Sequence, residues 1–286
     1  MARARAHFRK PPLLALALVA TAALVGRRAA WVEPRSLVLP EVDLALPAWP
    51  VALDGLRVAL VSDVHAGAGH MTPARIAGIV DRVLAARADV HLLIGDYLDS
   101  TWLGDGRARV LDVAEQLARL PGAVAVLGNH DWRGAGPAMG WALRACGVRV
   151  LENAACELRP GLWAAGVADT RYRVPDPDAA LAAVPADAAA LLLVHDPDVF
   201  PRVPARATLT VAGHLHGGQV NVPHLRRLAM PTCYGDRYLA GHVIEEGRHL
   251  YVSAGLGTAG VPLRLFRRPE VPVLRLTSGA PRTPAA

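Results

Sequence analysis

Five short apolar runs in this chain each end on a cluster of Asp, His or Asn. LRVALV runs into Ser62-Asp63-Val64-His65, and VHLLI runs into Gly95-Asp96-Tyr97-Leu98-Asp99. AVAVL leads to Gly128-Asn129-His130-Asp131, ALLLV to His195-Asp196, and ATLTVA to Gly213-His214-Leu215-His216. Such runs read as strands buried on both faces. Between them, residues 72–86 carry a helical period, with Thr72 as N-cap and Pro73 at the first helical position. Residues 107–120 and 137–145 read as further helices. Strands alternating with helices predict an α/β core with parallel strands. After residue 190 the runs ALLLV, ATLTVA, LYVSAG and VPVLRL follow with few helical periods, so the C-terminal half reads as more purely β. Ligands in α/β sheets bind beyond the carboxyl ends of strands, and five polar strand ends predict one shared site.

Taken singly, each cluster has an ordinary explanation. A strand-end Asp caps a turn, and Asp96 and Asp99 can cap the helix that follows. Asn129-His130-Asp131 can be a tight turn, and His195 a satisfied structural histidine. His214-x-His216 places both rings on one face of a strand. Taken together, oxygen and imidazole donors in this mixture suit Mn²⁺, Fe or Zn²⁺. Cys146, Cys156 and Cys233 form neither a disulfide framework nor a cysteine zinc site. The histidines are too many for a typical Mg²⁺ or Ca²⁺ cage. Two ions sharing one carboxylate would use the donors fully.

The ordered set SDVH, GDYLD, LGNHD, VHDPD and GHLHGGQ closely resembles the calcineurin-like metallophosphoesterases, over roughly Leu56 to Leu276. GHLHGGQ and YVSAGLGTAGVPLR are similar to the membrane-anchored bacterial branch, which includes enzymes similar to UDP-2,3-diacylglucosamine pyrophosphatases of lipid A metabolism. The resemblance implies a four-layer α/β/β/α sandwich for residues 56–286. It implies one metal on Asp63, His65 and His216, a second on Asn129, His195 and His214, and Asp96 bridging both. His130 would face the phosphoryl group and serve the leaving oxygen, with Asp99 orienting its ring. The expected cofactors are two divalent ions (Mn, Fe, Zn or Mg), with Mn favoured. The expected reaction is hydrolysis of a phosphodiester or pyrophosphate bond by a metal-bridged hydroxide. A lipid- or nucleotide-sugar-type envelope substrate is favoured. The alternatives are a phosphomonoesterase on the same metals and a non-catalytic metal-binding scaffold. The scaffold is disfavoured because His130 and Asp99, neither of them a ligand, are both present.

Residues 1–32 stand apart. Pro11 to Gly26 carries no charge, and sixteen helical residues span about 24 Å against a bilayer core of about 30 Å. Arg27 and Arg28 can snorkel and Trp31 suits an interface, which favours an uncleaved inner-membrane anchor. A cleaved signal peptide ending near Ala20-Thr21-Ala22 is the rival. Four basic residues precede the segment and two follow, which favours a cytoplasmic N-terminus and a body outside the cytoplasm. Lipid A precursor hydrolysis would need the opposite side. The formal net charge of +6 lies entirely in this acid-free start, since no acid precedes Glu33. A neutral body gives no support for nucleic-acid binding. Residues 33–55 read as a linker with a first strand, and the oligomeric state is not legible.

Several weaker signals remain. Gly255-x-Gly257-x-x-Gly260 lacks a following helix and reads as a close-packed loop near the metals. The branch often has Arg where this chain has Ala254. Asp131 reads as support for a ligand or as a surface turn. Ser62, Ser100 and Ser253 read as turn or strand residues. Trp102, Trp132 and Trp141 read as core or as cleft lining, and His224, His242 and His249 as ordinary histidines. Asp169-Thr170-Arg171 and Arg226-Arg227 are candidate substrate contacts.

Overall fold

Alternation within the apolar runs decides the layering. The computed structural model describes residues 13–100, 109–224, 226–227 and 230–279. In chain order the elements are α1 (Leu13–Arg27), β1 (Glu41–Leu46), β2 (Leu56–Val61), α2 (Pro73–Ala85), β3 (Val90–Leu93), α3 (Val110–Leu117) and β4 (Val124–Ala125). Next come α4 (Asn129–Ala135), α5 (Ala138–Ala145), β5 (Arg149–Val150), β6 (Ala154–Arg159), β7 (Leu162–Gly166), α6 (Pro177–Leu181) and β8 (Ala189–Leu193). The remaining strands are β9 (Leu209–Ala212), β10 (Gly241–Glu245), β11 (Arg248–Val252) and β12 (Val273–Ser278). In β2, Ala59 and Val61 face one side while Val58 and Leu60 face the other, and all four are buried. A strand buried on both faces must lie between two layers.

Two six-stranded mixed sheets result, in the orders β1-β12-β2-β3-β4-β5 and β10-β11-β9-β8-β7-β6. In the first, β2, β3, β4 and β5 run parallel, while β12 lies antiparallel to β2 and parallel to β1. In the second, β7, β8, β9 and β11 run parallel, with β6 and β10 antiparallel at the edges. One core packs α2, α3 and α5 on the first sheet through Ile76, Val80, Val113 and Leu143. A second fills the space between the sheets with Leu60, Leu92, Leu191 and Val211. The third covers the outer face of the second sheet with α6 and the 3₁₀ turn Pro197–Arg202. Three cores between four layers make the α/β/β/α sandwich. Each fully buried Leu or Val contributes roughly 1.5–3 kcal/mol.

Local chemistry matches the expected elements where it is strong. Thr72 Oγ1 accepts the Arg75 N–H at 3.3 Å and opens α2. The start of the helix expected over 107–120 lies outside the described residues, and its described part is α3. Residues 33–55 contribute β1 to the first sheet and bury Glu33, Pro34, Leu37 and Trp49. The apolar N-terminal helix is longer than sixteen residues. It continues through a π turn (Arg28–Val32) and a 3₁₀ turn (Glu33–Arg35). The run Leu13–Arg35 has 23 residues, its most apolar 18-residue window has a mean hydropathy of 1.7, and α1 buries none of its side chains.

Candidate metal centre

Strand direction brings the polar ends together. β2, β3, β4, β8 and β9 all point their carboxyl ends toward one edge of the sandwich, and the chain there bends out of the sheet. Asp63, His65, Asp96, His214 and His216 have φ between 47° and 71°, the left-handed region that non-glycine residues avoid. Such conformations persist only where the surroundings impose them, and they gather at functional sites. The surroundings are visible. Asp63 N–H donates to Gly95 O and His65 N–H to Asp96 O, each at 3.0 Å. The wholly buried Asp131 carboxylate accepts the N–H groups of Asp96, Tyr97, Leu98 and Gly128 at 2.8–3.1 Å. It therefore splints two ligand-bearing turns. Burial and the neighbouring Asp96 charge push its pKa up, against those four donors.

The left-handed turns aim the side chains into two groups. Asp63, His65 and His216 form one, and Asp96, His195 and His214 the other, while His65, Asp96 and His130 also converge between them. In the first, His216 Nε2 lies 3.1 Å from His65 Nε2 and 3.5 Å from Asp63 Oδ1. In the second, His195 Nε2 lies 3.1 Å from Asp96 Oδ2 and 3.2 Å from His214 Nδ1. Asp96 Oδ2 is also 3.6 Å from His65 Nε2, so one carboxylate stands between the groups. Among the described residues, Asn129 Oδ1 and His214 Nε2 are buried without a hydrogen-bond partner. Buried orphan donors converging with carboxylates are what a cation would satisfy. The residues thus fit a divalent metal centre. Burial lowers His214 to about 4 and takes His216 well below its usual range, which leaves these two imidazoles neutral, whereas against burial the neighbouring carboxylates raise His195 and His65. Burial would raise Asp96, but the His195 charge and hydrogen bond hold it well below the usual carboxylate range. His195 Nδ1 is 2.7 Å from Ile94 O, which orients Nε2 toward the site.

His214 and His216 are not on a strand. They follow β9, and their left-handed φ values send one ring to each group, where strand alternation would keep them on one face. His130 opens α4, lies edge-on to His65 with ring centroids 4.7 Å apart, and donates its backbone N–H to Asp96 Oδ1 at 2.8 Å. Burial lowers its pKa to about 4. Its Nδ1 meets Ser100 Oγ at 2.8 Å, whereas Asp99 Oδ1 is 4.0 Å away. Asp99 lies closer to His65 Nδ1, at 3.7 Å. The bridge between Ala66 and Leu98, with Asp99 N–H donating to Ala66 O, draws Asp99 toward the His65 turn. Ser100, expected as a turn residue, joins Asp99 beside His130 Nδ1.

A cavity of about 400 Å³ opens over Asp96, Asn129, His130 and His214, with Arg133, Arg171 and Arg226 on its walls. Arg226 and Arg227 both pair with Asp236. Trp132 and Trp141 line a neighbouring cavity of about 330 Å³, while Trp102 lies outside the described residues. His242 stacks on His249, away from the centre, and His224 is exposed. The Gly255–Gly257 loop packs against the metal ligands. Gly255 has φ 66°, and a Cβ there would sit 2.6 Å from Asp63 Cβ. Sequence reasoning missed the residue that holds this loop. Arg264 is fully buried, and its guanidinium donates to Gly257 O at 2.8 Å and Ala254 O at 2.9 Å, with Nη2 3.4 Å from His216 Nδ1. A lone charge inside the apolar stretch VPLRLF is the signal that could have found it.

A sandwich of two mixed sheets with a carboxylate shared between two Asp/His groups defines a metal-dependent hydrolase of phosphoesters. The chain belongs to the calcineurin-like phosphoesterase family, whose sequence model matches residues 56–242. It is 28% identical to the uncharacterized metallophosphoesterase YkuE of Bacillus subtilis (strain 168), over 87% of this chain and 89% of that protein. It is 32% identical to the phosphodiesterase YaeI of Escherichia coli (strain K12), over 66% of this chain and 71% of that protein. The transmembrane protein with metallophosphoesterase domain of Danio rerio is 27% identical over 91% of this chain, which spans 61% of that protein's length.

Proposed function

We propose that the chain is a membrane-anchored phosphodiesterase or pyrophosphatase with a dinuclear centre. Residues 1–32 are the anchor, and the body from residue 56 on carries catalysis. The observation that carries the reading is Asp96, within 3.6 Å of both a first-group and a second-group histidine. Asp63, His65 and His216 would hold one divalent ion and Asn129, His195 and His214 the other, with the Asp96 carboxylate available to both. Mn²⁺ is the favoured metal, given the mixture of carboxylate, amide and imidazole donors. Two such ions, when bound, neutralise the phosphoryl oxygens and make water nucleophilic near neutral pH.

The chain's own residues do the rest. Ser100 Oγ donates to His130 Nδ1, which leaves the ring proton on Nε2. His130, kept neutral by burial, then offers that N–H to the leaving oxygen. Arg133 and Arg171 face the cavity and suit a substrate with a second anionic group, as in a diester or pyrophosphate. The relative named as a phosphodiesterase supports the same class. An amphiphilic envelope substrate fits the apolar N-terminal helix, which keeps the enzyme at a membrane.

The test strips the full chain with a chelator and assays bis-p-nitrophenyl phosphate and p-nitrophenyl phosphate. Mn²⁺, Mg²⁺, Zn²⁺ and Fe²⁺ are added back singly, with Asp96→Asn as control. Metal-dependent diester cleavage that disappears in the control is expected. Cleavage of the monoester alone would make the chain a phosphatase.

A further inference from the structure

The segment that leaves the apolar helix is fastened to the loop that walls the active site. Arg264 N–H donates to Ala29 O at 2.9 Å, and Arg267 N–H donates to Glu33 Oε1 at 2.6 Å. Arg268 Nε donates to Ser36 O at 2.9 Å. Ala29 follows the last residue of the uncharged stretch, Gly26, by three positions, about 5 Å along a helix. The same loop reaches the catalytic cavity a few residues earlier, through Ala259, Gly260 and Val261. The cavity wall and the end of the helix are therefore two ends of one short, buried-arginine-braced segment.

The outer surface of this junction has a consistent chemistry. Trp31 is 65% exposed, Val261 48% and Phe266 60%, large apolar groups with no cover in the fold. Arg27, Arg28, Arg35 and Arg268 are exposed among them. The one acid in residues 26–36 and 259–268 is Glu33, which is 2% exposed and paired with Arg28. Apolar tips ringed by arginines, of which Arg28 alone meets an acid of these two segments, match the boundary between acyl chains and anionic headgroups. Arg35 stacks over Trp31 at 4.5 Å, a pairing that suits the same boundary.

We infer that the Trp31–Val261–Phe266 face lies on an anionic bilayer surface, so that the cavity mouth beside Val261 opens at the lipid interface. The inference rests on the anchor proposed above and adds an orientation: substrate reaches the metals from the headgroup layer. Arg264 is the positioning residue of this arrangement, since its main chain holds the helix end and its side chain holds the glycine loop against Asp63.

The experiment uses the full chain with Cys146, Cys156 and Cys233 changed to Ser. Single cysteines are placed at Val261, Phe266 and Val51 and labelled with an environment-sensitive fluorophore. Val51 is 74% exposed and precedes β2, at the sheet end remote from Asp63. Each chain is reconstituted in vesicles of phosphatidylcholine and phosphatidylglycerol, with and without doxyl-labelled lipid, and floated on a density gradient. Flotation with several-fold stronger quenching at 261 and 266 than at 51 is expected. Phe266→Ser is expected to keep cleavage of the water-soluble diester and to weaken quenching at 261. A chain that floats with equal, weak quenching at all three positions would overturn the orientation and leave the anchor standing. A chain that does not float would overturn both.

Discussion

The two sheets contribute differently to the centre. The first supplies every oxygen donor, Asp63, Asp96 and Asn129, together with His65 and His130. The second supplies imidazoles alone, His195, His214 and His216. Each donor group draws from both sheets, so bound metal ties the sandwich together at one edge. Negative charge is concentrated on the side that Asp131 splints with four backbone N–H bonds. His214 and His216, kept neutral by burial, follow β9, and His214 N–H donates back to Asp63 at 3.0 Å. The carboxylate-bearing half thus helps to hold the imidazole-bearing half.

That asymmetry predicts a hierarchy. Asp96→Asn removes the shared charge, and diester cleavage is expected to fall about 10³-fold or more, with less than one tightly held ion per chain by elemental analysis. His214→Ala, from the second sheet, should cost about 10²-fold and leave close to one ion. Equal losses in the two variants would break the comparison. His130→Ala is expected to lower kcat about 10²-fold with both ions retained if, as proposed, that ring serves the leaving oxygen and holds no metal. Ser100→Ala should cost about tenfold, with a shifted pH profile and unchanged metal content.

Metal removal reports on the link between sheets. Chelation is expected to lower the melting temperature, since ligands that bind only the folded state stabilise it, by about 2.7 kcal/mol at a hundredfold excess over Kd. The metal-free His214→Ala chain should show a smaller difference on adding metal. The smallest effect uses one histidine from each half, the buried His70 and the half-buried His242. Burial lowers His70, after β2, to about 3 and His242, on β10, to about 4. Folded-state values below the unfolded value mean that the unfolded chain takes up more protons, so stability falls as pH drops from about 6.5 toward those values. Denaturant midpoints across that range should flatten more in His70→Gln than in His242→Gln.

The ligand-bearing strand ends were legible because a buried parallel strand must be continuously apolar, and the first polar cluster after it marks the edge of the sheet. Asp63, His65, Asp96, Asn129 and His195 all follow from that single rule. His214 and His216 were legible as residues and not as geometry, since strand periodicity says nothing about a left-handed turn. β5, β6 and β10 escaped detection because they are short or half-exposed edge strands without an unbroken apolar run, and the buried interior β7 (LWAAG) because it lacks β-branched residues. Ser100 and Arg264 escaped because their importance lies in what they touch across thirty and forty-eight residues of chain.

The order of apolar runs and polar ends determined the class of fold, the donor chemistry and the apolar N-terminal segment, because burial and backbone direction act locally along the chain. Only the tertiary structure decided which histidine joins which carboxylate, that Ser100 stands with Asp99 beside His130, and that β1 pairs with β12. It alone brought the glycine loop, through Arg264, against both His216 and the end of the helix. Those outcomes depend on distances between segments remote in sequence, which residue spacing does not encode.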